Sequence, residues 1–288
     1  MPRLSWAVAT HPGLRRDSNE DAHAARPDLA LFIVADGMGG HAAGEVASQA
    51  AVDTIQAFAH DTRSRDLNST WPFPFDPSLS IDANSLKAAF RLANRNIADR
   101  VAAERELRGM ATTVSAALLH ETESGGIQAA IGHVGDSRVY LYRGGTLRQV
   151  TDDHSWVGEQ IRAGAMSDAD ARRHPWRNVV TRAISGGTDP EVDVLELPLE
   201  SGDRLLLCSD GLSGVVLEDV IARITGAGSL ETATEALIAA ANDAGGPDNI
   251  TTVLIQIDEA QAAERGIGVP RAAEPGGVQA PPPEKNAR

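Results

Sequence analysis

The stretch "IQAAIGHVGDSRVYLYRGGTLRQVT" (127–151) decides the fold class. It reads as a strand, the turn Gly135-Asp136-Ser137, a second strand, a Gly144-Gly145 turn and a short third strand. Strands joined by turns this tight pair antiparallel. That argues against a doubly wound parallel sheet, although helices flank the stretch on both sides.

Upstream, Ser5–Thr10 and Leu29–Asp36 read as strands joined by the polar segment 11–27. From Glu45 the period becomes helical, with Ala47, Ala51, Thr54/Ile55 and Phe58 on one face. Residues 60–80 read as a loop, because three prolines interrupt any period; Trp71, Phe73 and Phe75 would dock it onto the body. Asn84–Glu106 is a second helix, with Leu86, Phe90, Ala93 and Ile97 at helical spacing, and 110–119 a strand. Downstream, 153–178 is charged and broken, with helical pieces at Ser155–Gly164 and Asp168–Arg173. Val192–Leu197, Arg204–Cys208 and Thr251–Ile257 read as strands, and Leu217–Ile224 and Leu230–Asn242 as helices. The expectation is one α+β domain over 1–258, followed by a disordered tail at 259–288 with balanced charge.

The 288 residues carry 26 basic and 40 acidic side chains, a net charge of -14. That average field repels a nucleic acid or an acidic membrane face. The single cysteine, Cys208, excludes an internal disulfide framework and any multi-cysteine metal knuckle. The N-terminal "MPRLSWAVATHPG" has no apolar core of a signal peptide, and no run approaches the ~20 residues that span a bilayer. A cytoplasmic protein without membrane insertion is expected, and a monomer, since no long coiled coil is evident.

Three apolar or glycine-rich segments end on an acid: "LFIVADG" on Asp36 before Gly37, "LLLCSDG" on Asp210, and "GHVGDSR" on Asp136. Asp248 precedes the last strand in "GGPDNIT", and Glu20 and Asp21 lie in "SNEDAH". Any one of them alone is explained as a turn former or helix cap. Together they would repel one another unless a cation held them. Oxygen ligands without a histidine or cysteine cluster suit Mg²⁺ or Mn²⁺ rather than structural zinc. Two such ions can acidify a water and orient it against phosphorus, so phosphoryl hydrolysis is the reaction class indicated. No nucleophile motif competes: Ser209 and Ser213 lack a G-x-S-x-G context, and no Cys-x5-Arg signature surrounds Cys208. Arg16, four residues before Glu20, is the nearest guanidinium for a phosphate. "GHAAGE" (40–45) lacks a Walker lysine and carries no nucleotide signal.

These segments resemble the metal-dependent serine/threonine phosphatases of the PPM/PP2C family, of the compact bacterial type. The resemblance rests on "RRDSNEDAH" (15–23), "FIVADGMGGHAAGEVAS" (32–48), "MATTVSAALL" (110–119), "GHVGDSRVYLYRGG" (132–145), "RNVVTRAISG" (177–186), "LLLCSDGLS" (205–213) and "GGPDNITTVLI" (245–255). It implies an α-β-β-α sandwich of two antiparallel sheets flanked by helices. It further implies hydrolysis of phosphoserine and phosphothreonine on proteins by direct attack of metal-bound hydroxide, reversing a cognate serine/threonine kinase. By motif, Asp36 would bridge two core Mg²⁺ or Mn²⁺ ions, and Gly37 would offer a carbonyl to one. Asp210 and Asp248 would complete the other ion's shell, and Glu20 would hold metal-bound water with Asp21 nearby. Asp136 would help hold a third, weaker ion, Arg16 would bind the substrate phosphate, and 153–178 would be the flap that influences substrate choice. Asp168 and Asp170 both qualify as the flap's metal-contacting acid. Met38 stands where animal-type members carry a histidine thought to protonate the leaving group, and His41 lies three residues on. A non-catalytic phosphoprotein-binding or scaffold module on the same fold is the alternative; loss of the acids would mark it, and all are present.

Overall fold

Strand side chains alternate between two faces, so a run that is apolar on both faces belongs between two layers. Leu31–Ala35 is such a run. The computed structural model describes residues 3–39, 43–62 and 71–258. Its elements are, in order, β1 (Leu4–His11), β2 (Asp21–Arg26), β3 (Leu31–Met38), α1 (Ala43–Thr62), α2 (Ile81–Ala103), a 3-10 turn (Arg105–Leu107) and β4 (Ala111–Glu121). They continue as β5 (Ile127–Val134), β6 (Arg138–Arg143), β7 (Thr146–Gln149), α3 (Trp156–Arg162), α4 (Asp168–Ala171), β8 (Asp193–Leu199) and β9 (Arg204–Cys208). The last are α5 (Asp210–Ser213), α6 (Glu218–Thr225), α7 (Leu230–Asp243) and β10 (Ile250–Ile257).

One five-stranded sheet has the order β1-β10-β9-β6-β7 and the other β2-β3-β4-β5-β8, with every pairing antiparallel. Phe32 and Val34 of β3 face inward and meet Val139, Leu141, Leu205, Leu207 and Val253 across the gap between the sheets. Leu31, Ile33 and Ala35 face outward onto Ile55 of α1 and Leu86 and Phe90 of α2. On the opposite outer face Leu206, Cys208 and Leu254 pack against Leu212, Ile221 and Leu237. Three stacked cores between four layers make the expected α-β-β-α sandwich. They also explain why β3 and β9 read as continuous apolar runs rather than alternating ones.

The structure departs from the sequence reading in the polar segment 11–27, which contains β2. Its alanines carry a weak strand signal, but the register Asp21↔Asp36 to Arg26↔Leu31 recruits it to β3 and buries Ala22 and Ala24. The segment 60–80 begins inside α1, which runs to Thr62, whose hydroxyl donates back to the Phe58 carbonyl. Residues 63–70 lie outside the described residues, as do His41 and the expected tail at 259–288. Phe73 is buried against the outer core, with the Arg95 guanidinium 4.3 Å from its ring centroid, and Trp71 packs on the same core. These two rings dock the segment. No helix among the described residues is long and apolar enough to cross a membrane.

His133 is buried beneath the start of the 153–178 segment. Its Nε2–H donates to the Asp152 carbonyl at 3.0 Å, and Nδ1 lies 2.9 Å from Ser115 Oγ. Burial first, and then the neighbouring His154, lower its imidazole to about 4, while Asp153 and Asp193 pull the other way. An unfolded histidine titrates near ~6.5. The folded protein thus keeps His133 neutral where the unfolded chain takes up a proton. The stability it leaves intact above about pH 6.5 is lost as the pH falls towards 4. In urea titrations, wild-type stability should fall relative to His133→Asn by up to about 3 kcal/mol over that window. Parallel pH profiles would rule out a neutral buried His133.

Candidate functional site

The acids gather where strands of both sheets end. Asp21 and Asp36 stand directly opposite each other on β2 and β3. Asp210 follows β9 by two residues, Asp248 precedes β10 by two, and Asp136 occupies the β5–β6 turn, where Gly135 takes a φ of 112°. A side-chain bond joins the sheets here: Ser209 Oγ donates to Asp21 Oδ2 at 2.8 Å and accepts the Thr251 amide at 3.0 Å. The Asp36 and Asp210 carboxyls stand close enough to influence each other.

Burial is the first cause that raises these carboxyls, and mutual repulsion is the second. Asp36 is pushed well above the usual carboxylate range by burial and then by Asp21, Asp210, Asp136 and Asp248. Asp136 is pushed well above it by burial, then Asp210 and Asp153, and Asp210 is raised by burial and then Asp248. Asp21 rises to about 7 through burial, although hydrogen bonds from Thr251 and Ser209 oppose the rise. Glu20 is raised mainly by burial. Asp21, Asp36, Asp136, Asp210 and Asp248 therefore share one field.

The loop that carries Arg16 and Glu20 is held by Asn249, which sequence reasoning passed over. Its Oδ1 accepts the Glu20 amide at 2.7 Å, and its Nδ2 donates to the Pro12 and Ser18 carbonyls at 3.0 and 2.8 Å. The only sequence signal was its place beside Asp248 in "PDNIT". Gly13, at a φ of 80°, lets the loop lie against the Asp248 backbone, where a Cβ would collide. Gly37 is equally constrained: a Cβ there would strike the carbonyls of Gly44 and Glu20. Arg16 Nη2 donates to Asp248 Oδ2 at 2.8 Å and keeps 54% of its side chain exposed. Cys208 is buried, and its thiol is pushed up to about 12 by burial first, so no thiolate is available there.

A cavity of about 410 Å³ runs from Arg16, Asp136, Asp210 and Asp248 to the 153–178 segment. Of the two flap acids, Asp168 lines it, whereas Asp170 accepts a 2.6 Å bond from Ser167 Oγ at the start of α4.

The donor set fits hard divalent ions. It is all oxygen, and Asp21 Oδ1 and Asp210 Oδ1 are buried without a hydrogen-bond partner. Among the described residues, however, no three histidine, cysteine or acidic side chains stand close enough around one point to form a closed metal cage. The carboxylates converge as a cluster, and binding ions would need them to reorient.

The sequence profile of protein phosphatase 2C matches residues 14–254. This chain belongs to the PPM/PP2C-type serine/threonine phosphatase family. It is 37% identical over 257 residues to the serine/threonine phosphatase stp of Listeria welshimeri, covering 86% of this chain and 93% of that protein. The crystal structure of the Mycobacterium tuberculosis serine/threonine phosphatase PstP/Ppp superposes with a TM-score of 0.77 at 35% identity, covering 89% of this chain and 99% of that one. The catalytic domain of PstP in complex with two manganese ions superposes with a TM-score of 0.73 at 35% identity, over 89% and 99% of the two chains.

Replacing Asn249 by alanine leaves the Glu20 amide and two loop carbonyls without their buried partner. Stability should fall by about 2–4 kcal/mol. Hydrogen exchange at the Glu20 amide should rise well beyond that of β10; equal protection in variant and wild type would remove Asn249 from this role.

Proposed function

We propose that the protein hydrolyses phosphoserine and phosphothreonine on phosphoproteins, in a reaction dependent on Mg²⁺ or Mn²⁺, and so reverses a serine/threonine kinase. The observation that carries this reading is the convergence of Asp21, Asp36, Asp136, Asp210 and Asp248 at the end of both sheets, two of them with partnerless buried oxygens. The relatives' names, serine/threonine phosphatases, point to the same substrate class.

Asp36, Asp210, Asp248 and the Gly37 carbonyl would hold two core ions, with Glu20 and Asp21 on one side and Asp136 serving a third, weaker one. Ions held there supply an acidified water as nucleophile and neutralise the phosphoryl charge. Arg16 offers its guanidinium fork to two phosphoryl oxygens, exchanging Asp248 for the substrate. Asn249 sets the loop from which Arg16 reaches, and the sandwich fixes the backbone that carries the acids, so only side chains need to settle around the ions. Met38 lies beside Gly37 and has no proton to give the departing alkoxide. That proton must come from water or from another acid along the open cavity.

The test is Mn²⁺-dependent release of phosphate from a phosphothreonine peptide. An inactive, metal-loaded wild type, beside a related phosphatase that works in the same assay, would end this reading. Arg16→Ala should lower kcat/KM about a hundredfold, as loss of one oxyanion donor does. By calorimetry, Asp36→Asn and Asp210→Asn should each weaken Mn²⁺ binding at least about tenfold. Unchanged affinity in both would remove the assigned ligands.

A further inference from the structure

The cavity lining holds four arginines: Arg16, Arg138, Arg172 and Arg177. Three are engaged. Arg16 is paired with Asp248, Arg138 grips both oxygens of Asp153 at 2.8 and 2.6 Å, and Arg172 donates to the Ser213 carbonyl at 3.2 Å, tying the flap to α5. Arg177 is exposed and makes no ion pair or side-chain hydrogen bond with any described residue.

Its setting is an ordered platform. Trp156 stacks on His174 with centroids 4.7 Å apart and meets the edge of Trp176 at 4.9 Å. The backbone is pinned by the Trp156 amide on the Val179 carbonyl at 2.8 Å, Arg177 on His174 at 3.1 Å and Val179 on Trp176 at 3.0 Å. A Ser155↔Val180 bridge closes the segment. On this rigid base Trp176 and Val179 remain 54% and 45% exposed, on either side of Arg177 and Asn178. An exposed tryptophan beside an unpaired arginine is the composition of a binding hot spot, and a preformed backbone lowers the entropy lost on docking.

We propose that residues 174–179 form a docking subsite for a carboxylate-bearing stretch of the phosphoprotein, with Arg177 as the specificity-determining contact and Trp176 as its apolar anchor. The proposal rests on the phosphatase reading and names its substrate preference: acidic residues flanking the phosphorylated one. Charge complementarity selects this occupant. The other cavity arginines are held, Arg16 by Asp248, Arg138 by Asp153 and Glu218, and Arg172 by the Ser213 carbonyl, so a flanking carboxylate finds its freest guanidinium at Arg177. A substrate flank of lysines would be repelled there.

The test uses the Mn²⁺-loaded full chain and three phosphothreonine peptides that differ only in flanking Glu, Gln or Lys, with p-nitrophenyl phosphate alongside. Wild type should favour the Glu peptide over the Gln peptide by about threefold to fivefold in kcat/KM, the range of an exposed charge pair. The preference should lie in KM and shrink with added salt. Arg177→Ala should erase it, and Arg177→Glu should turn it towards Lys. Hydrolysis of all peptides at equal kcat/KM, a wild-type preference for Lys, or an unaltered preference in Arg177→Ala would each overturn the subsite while leaving the phosphatase reading intact. No hydrolysis of any peptide or of p-nitrophenyl phosphate would overturn the phosphatase reading itself.

Discussion

Two aspartates placed face to face on neighbouring strands are the constraint on which the rest of the molecule turns. Like charges in that position destabilise a sheet, and burial makes them costlier still. Asp21 and Asp36 nevertheless hold this register, and Asp210, Asp136 and Asp248 are brought to the same place. Such crowding persists only where the framework over-determines it. Here the framework is three stacked apolar cores, with β3 buried on both faces up to the residue before Asp36. Packing energy far from the site holds together what electrostatics there would push apart.

What the sequence made legible follows from this arrangement. The cores are written in alternation and helical period, so nearly every strand and helix could be read, and the tight turns at 135–137 and 144–145 ruled out a parallel sheet. Each acid at the end of an apolar run was visible because the run pointed to it. Less visible were elements whose signal lies in a partner. β2 is a strand because β3 offers it a register, which alanines do not announce. Ser209 could be dismissed as a nucleophile from its context, yet its work of tying Asp21 to β10 needs both sheets in view. Asn249 holds a loop more than 220 residues away in sequence, as its 229-residue separation from Glu20 shows.

The site is divided between two kinds of support. The carboxylates hang on sheet ends and cannot move far without disturbing a core. Arg16 hangs on a loop fixed by one asparagine, and the far wall of the cavity is a flap held by an aromatic stack and a few backbone bonds. On the proposed reading, chemistry and selectivity therefore sit on different frameworks. If the flap receives the phosphoprotein as proposed, substitutions there would alter which protein is received without reaching the acids, whereas a change at Gly37 or Gly13 would move backbone against backbone at the centre.

The Arg16–Asp248 pair sharpens how charge is handled at that centre. An exposed guanidinium paired with a half-buried carboxylate at the cavity mouth gains little net free energy, because solvent still screens the pair. With 54% of its side chain in water, Arg16 can leave Asp248 at small cost, which is what the proposed reaction would ask of it when a phosphate offered two oxygens in fork geometry. Arg138, clamped on Asp153 and largely buried, could not make the same exchange without leaving a buried acid unpaired. These two of the cavity's four arginines differ in burial, so one holds structure while the other, in the proposed reaction, is free to change partners.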